Sequence, residues 1–391
     1  MSDPLLLHQY EKVAGAELKQ LRQRFMVLMQ QDDDPDRFPG AQPVSFERKH
    51  LSVPEAGHSH PSLVAAPYYA AEKTDGVRWM LMILGTRGAF AVDRNFDVRR
   101  LPPMRFPSRL NPAAALDATL LDGELVMDMV SSGGKRPQPG ADTPAPPATP
   151  RMRFLAYDAC HVAGKPCCDE PINVRLMRLR REVLGPRYAL SVEDPATMAD
   201  EPFTVEQKDF FSVRQLPHIF SRVQTAAPGS NMLYAFTDPL RALSHGNDGI
   251  IFTPMKDPYR PYTCPALLKW KPANMNSIDF KLMTKWRREG DKKTAQPRFV
   301  LCCSSNGMPE PYGWITFSDE DFARFSEDPK KDSRILECVY DPNWQTVEYN
   351  PDDMRERTWS AISGSKSDWP RARPAVTQLM ASRLPCTIHV F

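Results

Sequence analysis

The chain has 391 residues, too many for one ordinary hydrophobic core, so two domains are the default expectation. Its composition is globular, with 41% hydrophobic and 25% charged residues, and its net charge of +2 excludes a uniformly basic nucleic-acid binder, so any such site is local. Eight cysteines show no C-x-x-C spacing, and Cys160-His161 with Cys167-Cys168 matches no common zinc finger, so reduced intracellular thiols are expected. No signal peptide and no apolar run long enough to span a bilayer is seen, so no membrane partner is expected.

In chain order, residues 3–30 place Leu7, Tyr10, Val13, Leu18, Leu21, Phe25 and Leu28 at roughly helical spacing after Asp3-Pro4, which predicts one amphipathic helix. Phe38-Pro39-Gly40-Ala41-Gln42-Pro43-Val44-Ser45 carries two prolines and a glycine and reads as a loop. Residues 51–66 read as another loop, and Pro67–Ala71 as a strand leading to Lys73-Thr74-Asp75-Gly76-Val77-Arg78. This K-x-D-G-x-R stretch is the centre of the reading, with Lys73 as a covalent nucleophile. A lysine attacks phosphorus only as the free amine, so such a residue needs burial or neighbouring charge to lose its proton near neutrality. Gly76 lets backbone approach a ligand, Asp75 can orient the loop, and Arg78 can fork onto a sugar or phosphate.

Trp79–Leu84 and Ala89–Val92 flank Gly85-Thr86-Arg87-Gly88 as a hairpin, with Arg94 just beyond. Leu120–Met127 is a strand in which Asp122 and Glu124 bracket a glycine. Residues 131–150 hold almost nothing that can enter a core and read as a flexible insertion. Arg153–Cys160 resumes the sheet, and Pro171–Leu184 reads as a basic helix ended by Gly185-Pro186, its arginines a solvated face or an RNA contact. A loop holding Asp248 then enters a short buried strand at Ile250-Ile251. In Leu267–Pro272, Lys269 and Lys271 alternate, so both point to one face, as a phosphate site or as an exposed strand face. After Asn276, short strands at 278–282, 299–302, 314–317, 335–340 and 346–349 suggest a small barrel, for which an OB-fold is a good candidate. Lys285, Arg287 and Arg288 beside Trp286 form its densest basic cluster and suit RNA. The last block runs through Arg355 and Arg357 to Lys366, then to a helix-like segment.

Taken together and in order, KTDGVR, LDGELV, FLAYDA, NDGIIF, LLKWKP and MRERT resemble the motifs of the mRNA capping guanylyltransferases, within the covalent nucleotidyltransferases that include DNA and RNA ligases. FPGAQPVS ahead of the lysine favours capping enzymes over ligases. The resemblance implies an α+β fold: a nucleotidyltransferase domain of antiparallel sheets and helices over 1–276, an OB-fold over 277–372, and a C-terminal helix and tail over 373–391. It implies that Lys73 takes GMP from GTP and that a 5′-diphosphate RNA end receives it, with Mg²⁺ or Mn²⁺ held by Asp248 and Glu124. Thr74, Asp75 and Gly76 border the nucleotide; Arg78, Arg94 and Glu124 hold the ribose; Lys269 and Lys271 meet the α-phosphate; Arg355 and Arg357 reach the β- and γ-phosphates. Tyr157 stacks on guanine or is a core aromatic, with Ile250 or Ile251 on the other side of the base.

The family's last motif ends in Asp-Lys, whereas Trp359-Ser360 follows Arg357-Thr358 here, so either Lys366 takes that role or Ser360 sits there with weaker activity. No C-x5-R loop is seen, so an RNA triphosphatase is expected to act in cis or in trans. A nuclear location and the phosphorylated C-terminal tail of RNA polymerase II as a partner follow from the resemblance alone. The competing readings are an ATP-dependent RNA or DNA ligase and an inactive RNA- or polymerase-tail-binding module.

Overall fold

The computed structural model describes residues 4–31, 36–131, 148–216, 223–225, 234–236, 245–271, 277–289, 292–305, 308–315, 319–339 and 360–366. The chain divides into two compact units, Met1–Trp270 and Lys271–Phe391. Among the described residues no helix is long and apolar enough to cross a membrane. The expected insertion at 131–150 lies almost wholly outside the described residues, as do the expected strand at 346–349 and the C-terminal helix.

The N-terminal helix is shorter than its periodicity predicts. A 3-10 turn at Pro4–Leu6 comes first, and α1 spans Gly15–Leu28. Leu7 and Gly15 adopt φ of 52° and 61°, which a continuous right-handed helix does not permit, and Lys12 forms a bridge with Arg99 instead. Gln42–Ser45 is a strand, β1, where the prolines predict a loop. It lies at the edge of its sheet, and the pairing shifts between Pro43 and Val44, so the missing proline N–H interrupts no central ladder.

The strands that follow are β2 (Tyr68–Thr74), β3 (Val77–Ile83), β4 (Ala89–Val92), β5 (Val98–Arg100), β6 (Thr119–Ser131), β7 (Ala148–Val162), β8 (Lys165–Pro166), β9 (Thr204–Gln207) and β10 (Phe211–Ser212). After the short pair β11 (Val223–Thr225) and β12 (Tyr234–Phe236) come β13 (Asn247–Pro254) and β14 (Thr263–Trp270). One sheet runs β5-β4-β3-β6-β7-β8, with β9 paired to β7; a second runs β1-β14-β13-β2-β10. The continuous apolar run of β3 arises because both faces of its sheet are covered. Trp79, Leu81 and Ile83 pack with Leu121 and Phe154 on one side, and Met80 and Met82 with Phe25 and Phe90 on the other.

Gly185-Pro186 does not end the basic helix. From α2 (Ile172–Leu179) the chain passes through a π turn at Arg180–Leu184 into α3 (Gly185–Glu193). In that turn the Gly185 N–H donates to the Arg180 carbonyl, and Pro186 enters α3 in its first turn, where no N–H is required. Nor is the face uniformly solvated. Arg175 is buried and makes two bonds to Asp158, Nε to Oδ1 at 2.6 Å and Nη2 to Oδ2 at 2.8 Å, while Arg180 and Arg181 are exposed.

The second unit holds β15 (Ser277–Glu289), β16 (Lys292–Ser305), β17 (Met308–Ile315), α4 (Asp319–Glu327), β18 (Ile335–Val339) and β19 (Ser360–Lys366). Its strands pair antiparallel in the order β17-β16-β15-β18-β19. Phe280, Leu282, Phe299, Leu301 and Leu336 pack with Phe325 of α4 into its core.

Candidate active site

The turn between β2 and β3 is pressed onto β6. A Cβ built on Gly76 would lie 2.5 Å from the Leu125 carbonyl oxygen and 2.9 Å from Glu124 Cγ, so only glycine fits that turn. Exposed Asp75 donates its N–H to the Gly246 carbonyl at 2.7 Å, joining the turn to the loop before β13. Lys73 lies directly opposite Gly249 of β13, and its Nζ donates to Asp248 Oδ1 at 2.7 Å. Three sequence-named elements, the lysine, the glycine turn and the aspartate loop, therefore meet at one point.

Register decides which side chains share the lysine's face. Lys73 opposes Gly249, Ala71 opposes Ile251, and Ile251 in turn opposes Lys269. Because successive strand residues alternate, Lys73, Ile251 and Lys269 lie on one side of the sheet. Ile250 pairs with Glu72 on the other side and is buried with Ala70, Phe252 and Leu268. Of the two isoleucines, Ile251 is therefore the one on the Lys73 face of the sheet. Lys271 follows β14 as the first residue of the second unit, half-buried.

Arg78 does not stand open toward a ligand. Its Nε and Nη2 bond Asp122 Oδ1 and Oδ2 at 3.0 and 2.6 Å, its Nη1 donates to the Ala41 carbonyl at 2.6 Å, and its guanidinium lies over the Phe38 ring. Buried Asp122 also accepts from the Tyr157 and Tyr259 hydroxyls, each at 2.7 Å. The Tyr259 hydroxyl accepts from the Ala41 N–H at 2.8 Å. One carboxylate thus secures the arginine, the aromatic residue of β7 and the Phe38–Ala41 segment. Tyr157 is the extra residue of a bulge, since Asp122 opposes Asp158 and Gly123 opposes Ala156, and bulges re-aim side chains. Burial pushes the Tyr157 hydroxyl well above the ordinary tyrosine range.

Glu124 opposes Arg78 across β3 and β6. Burial raises its carboxyl to about 7; Lys208, Lys73 and Arg78 offset that only in part, and Asp122 adds to it. Arg94 is exposed in the turn after β4, at the same end of the hairpin as Arg78, because Met80 opposes Val92. In the second unit, Lys285 is exposed opposite Arg298 on β16, and Lys366 ends β19 opposite Ile335. Arg355 and Arg357 lie outside the described residues, as do the side chains of Arg287, Arg288 and Lys366.

The sequence reading misses a second group on the far face of β2. Thr74 is buried there, and its hydroxyl accepts from Lys208 Nζ and donates to Glu72 Oε1 at 3.3 Å. Glu72 Oε1 also accepts from Lys208 Nζ at 3.3 Å and from His245 Nε2 at 2.7 Å. His245 Nδ1 donates to Asp128 Oδ1 at 2.9 Å, and Arg153 pairs with Asp128 and Glu206. Burial alone would lower the His245 pKa, but the bonds to Asp128 and Glu72 outweigh it and raise it to about 9. Burial pushes Glu72 up, yet Lys208 and His245 together hold its carboxyl below the ordinary range. Apart from Thr74, which the lysine motif contains, no local motif marks these residues; Lys208 stands in Glu206-Gln207-Lys208-Asp209 like any surface lysine.

The family model for the catalytic domain of mRNA capping enzymes matches residues 9–273. The mRNA-capping enzyme of Danio rerio is 32% identical over 308 residues, covering 78% of this chain and 43% of that protein. The mRNA-capping enzyme subunit alpha of Schizosaccharomyces pombe is 29% identical over 338 residues, covering 82% and 74%. The chain thus spans less than half the length of the vertebrate relatives it matches. Solved structures similar to it include the ATP-dependent DNA ligase of bacteriophage T7 in complex with ATP, at 14% identity and a TM-score of 0.34 over 83% of this chain and 98% of that one. With its lysine turn, its aspartate loop and its Asp122 anchor all inside the matched region, the chain belongs to the mRNA capping enzyme catalytic-domain family.

Proposed function

We propose that this protein is an mRNA guanylyltransferase in which Lys73 carries GMP. The Lys73 Nζ attacks the α-phosphorus of GTP, a P–N bond forms, the α–β bridging P–O bond breaks, and pyrophosphate leaves. A terminal oxygen of a 5′-diphosphate RNA then attacks the same phosphorus, the P–N bond breaks, and the GpppN end and free lysine result. The observation that carries this reading is the Lys73–Asp248 pair at 2.7 Å, on the sheet face shared with Lys269 and Ile251, in a chain of this family.

Each part of the site has a role in that reaction. Asp248 holds the amine at one point and is its hydrogen-bonded proton acceptor. Lys269 and Lys271 balance α-phosphate charge, and Arg355 and Arg357 the outer phosphates. Asp75 and Gly76 form the wall beside the lysine, Thr74 supports that wall from the far face of β2 through Lys208 and Glu72, and Arg94 and Glu124 lie toward the ribose. Arg78 acts mainly by fixing the Phe38–Ala41 segment and Asp122, and Tyr157 and Ile251 flank the base.

Among the described residues no group of three or more His, Cys, Asp or Glu side chains forms a metal cage. The donors suit Mg²⁺ or Mn²⁺ all the same, because such ions are commonly held by one or two carboxylates plus substrate phosphates. Asp248 and Glu124 are both half-buried, and the Glu124 carboxyl, raised to about 7, would gain from a nearby cation. Such an ion, when bound, would neutralise phosphate charge and compete with the Lys73 ammonium for Asp248.

We assign the second unit to the OB-fold. Its strand order, third-second-first-fourth-fifth with a helix between third and fourth, supports this. Lys285, Arg287 and Arg288 on its first strand would meet RNA, and Lys366 would complete the last motif. An RNA triphosphatase in cis or in trans must supply the 5′-diphosphate end. The polymerase tail as partner and the nucleus as location accompany this reading.

Incubation with α-labelled GTP or ATP and Mg²⁺ or Mn²⁺, followed by denaturation, tests it. Acid-labile label from GTP, absent in Lys73→Ala, is the expected result. Label from ATP alone would make the protein a ligase, and no label from either would leave a binding module.

A further inference from the structure

We infer that His245 is a positioning residue for the reactive Lys73 amine, acting through Glu72 from the opposite face of β2; the inference rests on the guanylyl-transfer reading above. Glu72 and Lys73 are neighbours in sequence, so their side chains leave β2 on opposite sides. The lysine meets Asp248, and the glutamate meets His245. His245 lies three residues before Asp248, and the Gly246 carbonyl between them takes the Asp75 N–H. One imidazole is therefore tied by its side chain to the strand that carries the nucleophile and by its backbone to the loop that carries the nucleophile's partner.

Both ring nitrogens are committed. Nε2 lies 2.7 Å from a Glu72 oxygen and Nδ1 2.9 Å from an Asp128 oxygen. Carboxylates only accept, so both nitrogens donate and the ring is an imidazolium. Asp128 is in turn rooted on β6 and held by Arg153 of β7, whose other partner is Glu206 of β9. Among the described residues, the charged groups facing the ring and its two partners include Glu72, Asp128, Lys208 and Arg153, with Glu206 beyond. This chain of ion pairs connects the sheet of β2 and β13 to the sheet of β6, β7 and β9.

Glu72 carries the mark of an imposed pose. Its Oε1 takes His245, Lys208 and the Thr74 hydroxyl, while its Oε2 is buried with no hydrogen-bond partner among the described residues. A buried acceptor left unmatched costs free energy, so donors on Oε1 must outweigh it. Without the imidazolium, Glu72 has reason to rotate toward a partner for Oε2, and Lys73 is the next residue along the same strand. A displacement of about 1 Å at a nucleophile can lower a rate by roughly a hundredfold.

The test is the single-turnover rate constant for labelling by α-labelled GTP, which does not depend on the folded fraction. It is measured for wild type, His245→Gln, Glu72→Gln and the double variant, with melting curves and GTP half-saturation alongside. Each single variant is expected to label roughly ten- to a hundredfold more slowly, with half-saturation nearly unchanged. The double variant is expected to be no slower than His245→Gln, since both act through one contact. Wild-type rate constants in folded variants that merely melt earlier would reduce His245 to scaffold and overturn the inference. So would single effects that multiply in the double variant. Absence of label in wild type would instead overturn the guanylyl-transfer reading, and this inference with it.

Discussion

Replacing Asp122 by asparagine probes the anchor of the site. Asp122 is fully buried and accepts four hydrogen bonds, two from Arg78 and one each from Tyr157 and Tyr259. Asparagine keeps the shape but removes the charge, and it turns an NH2 toward groups that also donate. The Arg78 side chain is only 20% exposed, so its guanidinium is left without its counter-charge in a mostly dry setting. Breaking a buried ion pair from one side costs about 3–5 kcal/mol. For a unit of this size that corresponds to a fall in melting temperature on the order of 10 °C. Tyr157 loses its anchor at the same time, so labelling per folded molecule should fall by about tenfold or more. The asymmetry of ion-pair loss supplies the control. Asp122→Leu combined with Arg78→Met removes both charges and should melt higher than Asp122→Asn. Thermal melts and single-turnover labelling of the three proteins decide the matter. An asparagine variant that melts like wild type, or a double variant that melts below it, would refute the account of Asp122 as a charge anchor.

Three further outcomes are expected. Gly76→Ala places a methyl 2.5 Å from the Leu125 carbonyl oxygen, so it should destabilise the protein by about 1–3 kcal/mol and nearly abolish labelling; urea titration and label transfer measure both. Glu124→Gln should be more stable than wild type in metal-free buffer at high pH. Its folded carboxyl sits at about 7 against an ordinary 4.5, so the folded state loses stability as pH rises through that interval, by ~3 kcal/mol in total. Chemical denaturation should show the difference vanishing below an approximate pH of 4.5, and the variant should be a poor enzyme. For His245 the sign is opposite: its folded pKa of about 9 exceeds the ordinary 6.5, so its contribution is complete below 6.5 and is lost, by ~3 kcal/mol, as pH rises to 9. Denaturation of His245→Gln should lack that loss.

What the sequence reveals of this molecule is what is local. The apolar run of β3, the glycine turn at 85–88 and the acid-bracketed glycine of β6 each show their structure within a few residues. The Lys73 turn is equally compact in sequence, although the contacts that fix it, Gly76 against the Leu125 carbonyl and the Asp75 N–H on the Gly246 carbonyl, are made with distant segments. Local signals mislead where tertiary pairing overrides them. Two prolines suggest a loop at 42–45, yet an edge position lets that segment pair with β14. Gly185-Pro186 suggests a helix end, yet a π turn absorbs it. The choice between Ile250 and Ile251 needs register, which no spacing rule supplies. The two carboxylate hubs are the least legible part, since Asp122 meets Tyr259 across 137 residues and His245 meets Asp128 across 117.

The site's ion pairs are not equivalent, and their burial ranks what each can do. Lys208–Glu72 is 6% and 10% exposed, and Arg78–Asp122 is 20% and 1% exposed, so separating either leaves a charge in a dry interior. Lys73–Asp248 is 24% and 15% exposed, the most open of the three, and it is the pair whose partner can be exchanged at least cost. In the proposed reaction, a polyanionic substrate with a bound cation would offer new partners to both members of that pair, phosphate oxygens to Lys73 and the cation to Asp248. The deeper pairs then have a different task. They cannot move without breaking buried contacts, so they would hold the strand, the aromatic residue and the loop still if the outer pair exchanged partners. The reactivity proposed for Lys73 and the rigidity expected at Asp122 and Glu72 thus follow from one gradient of burial.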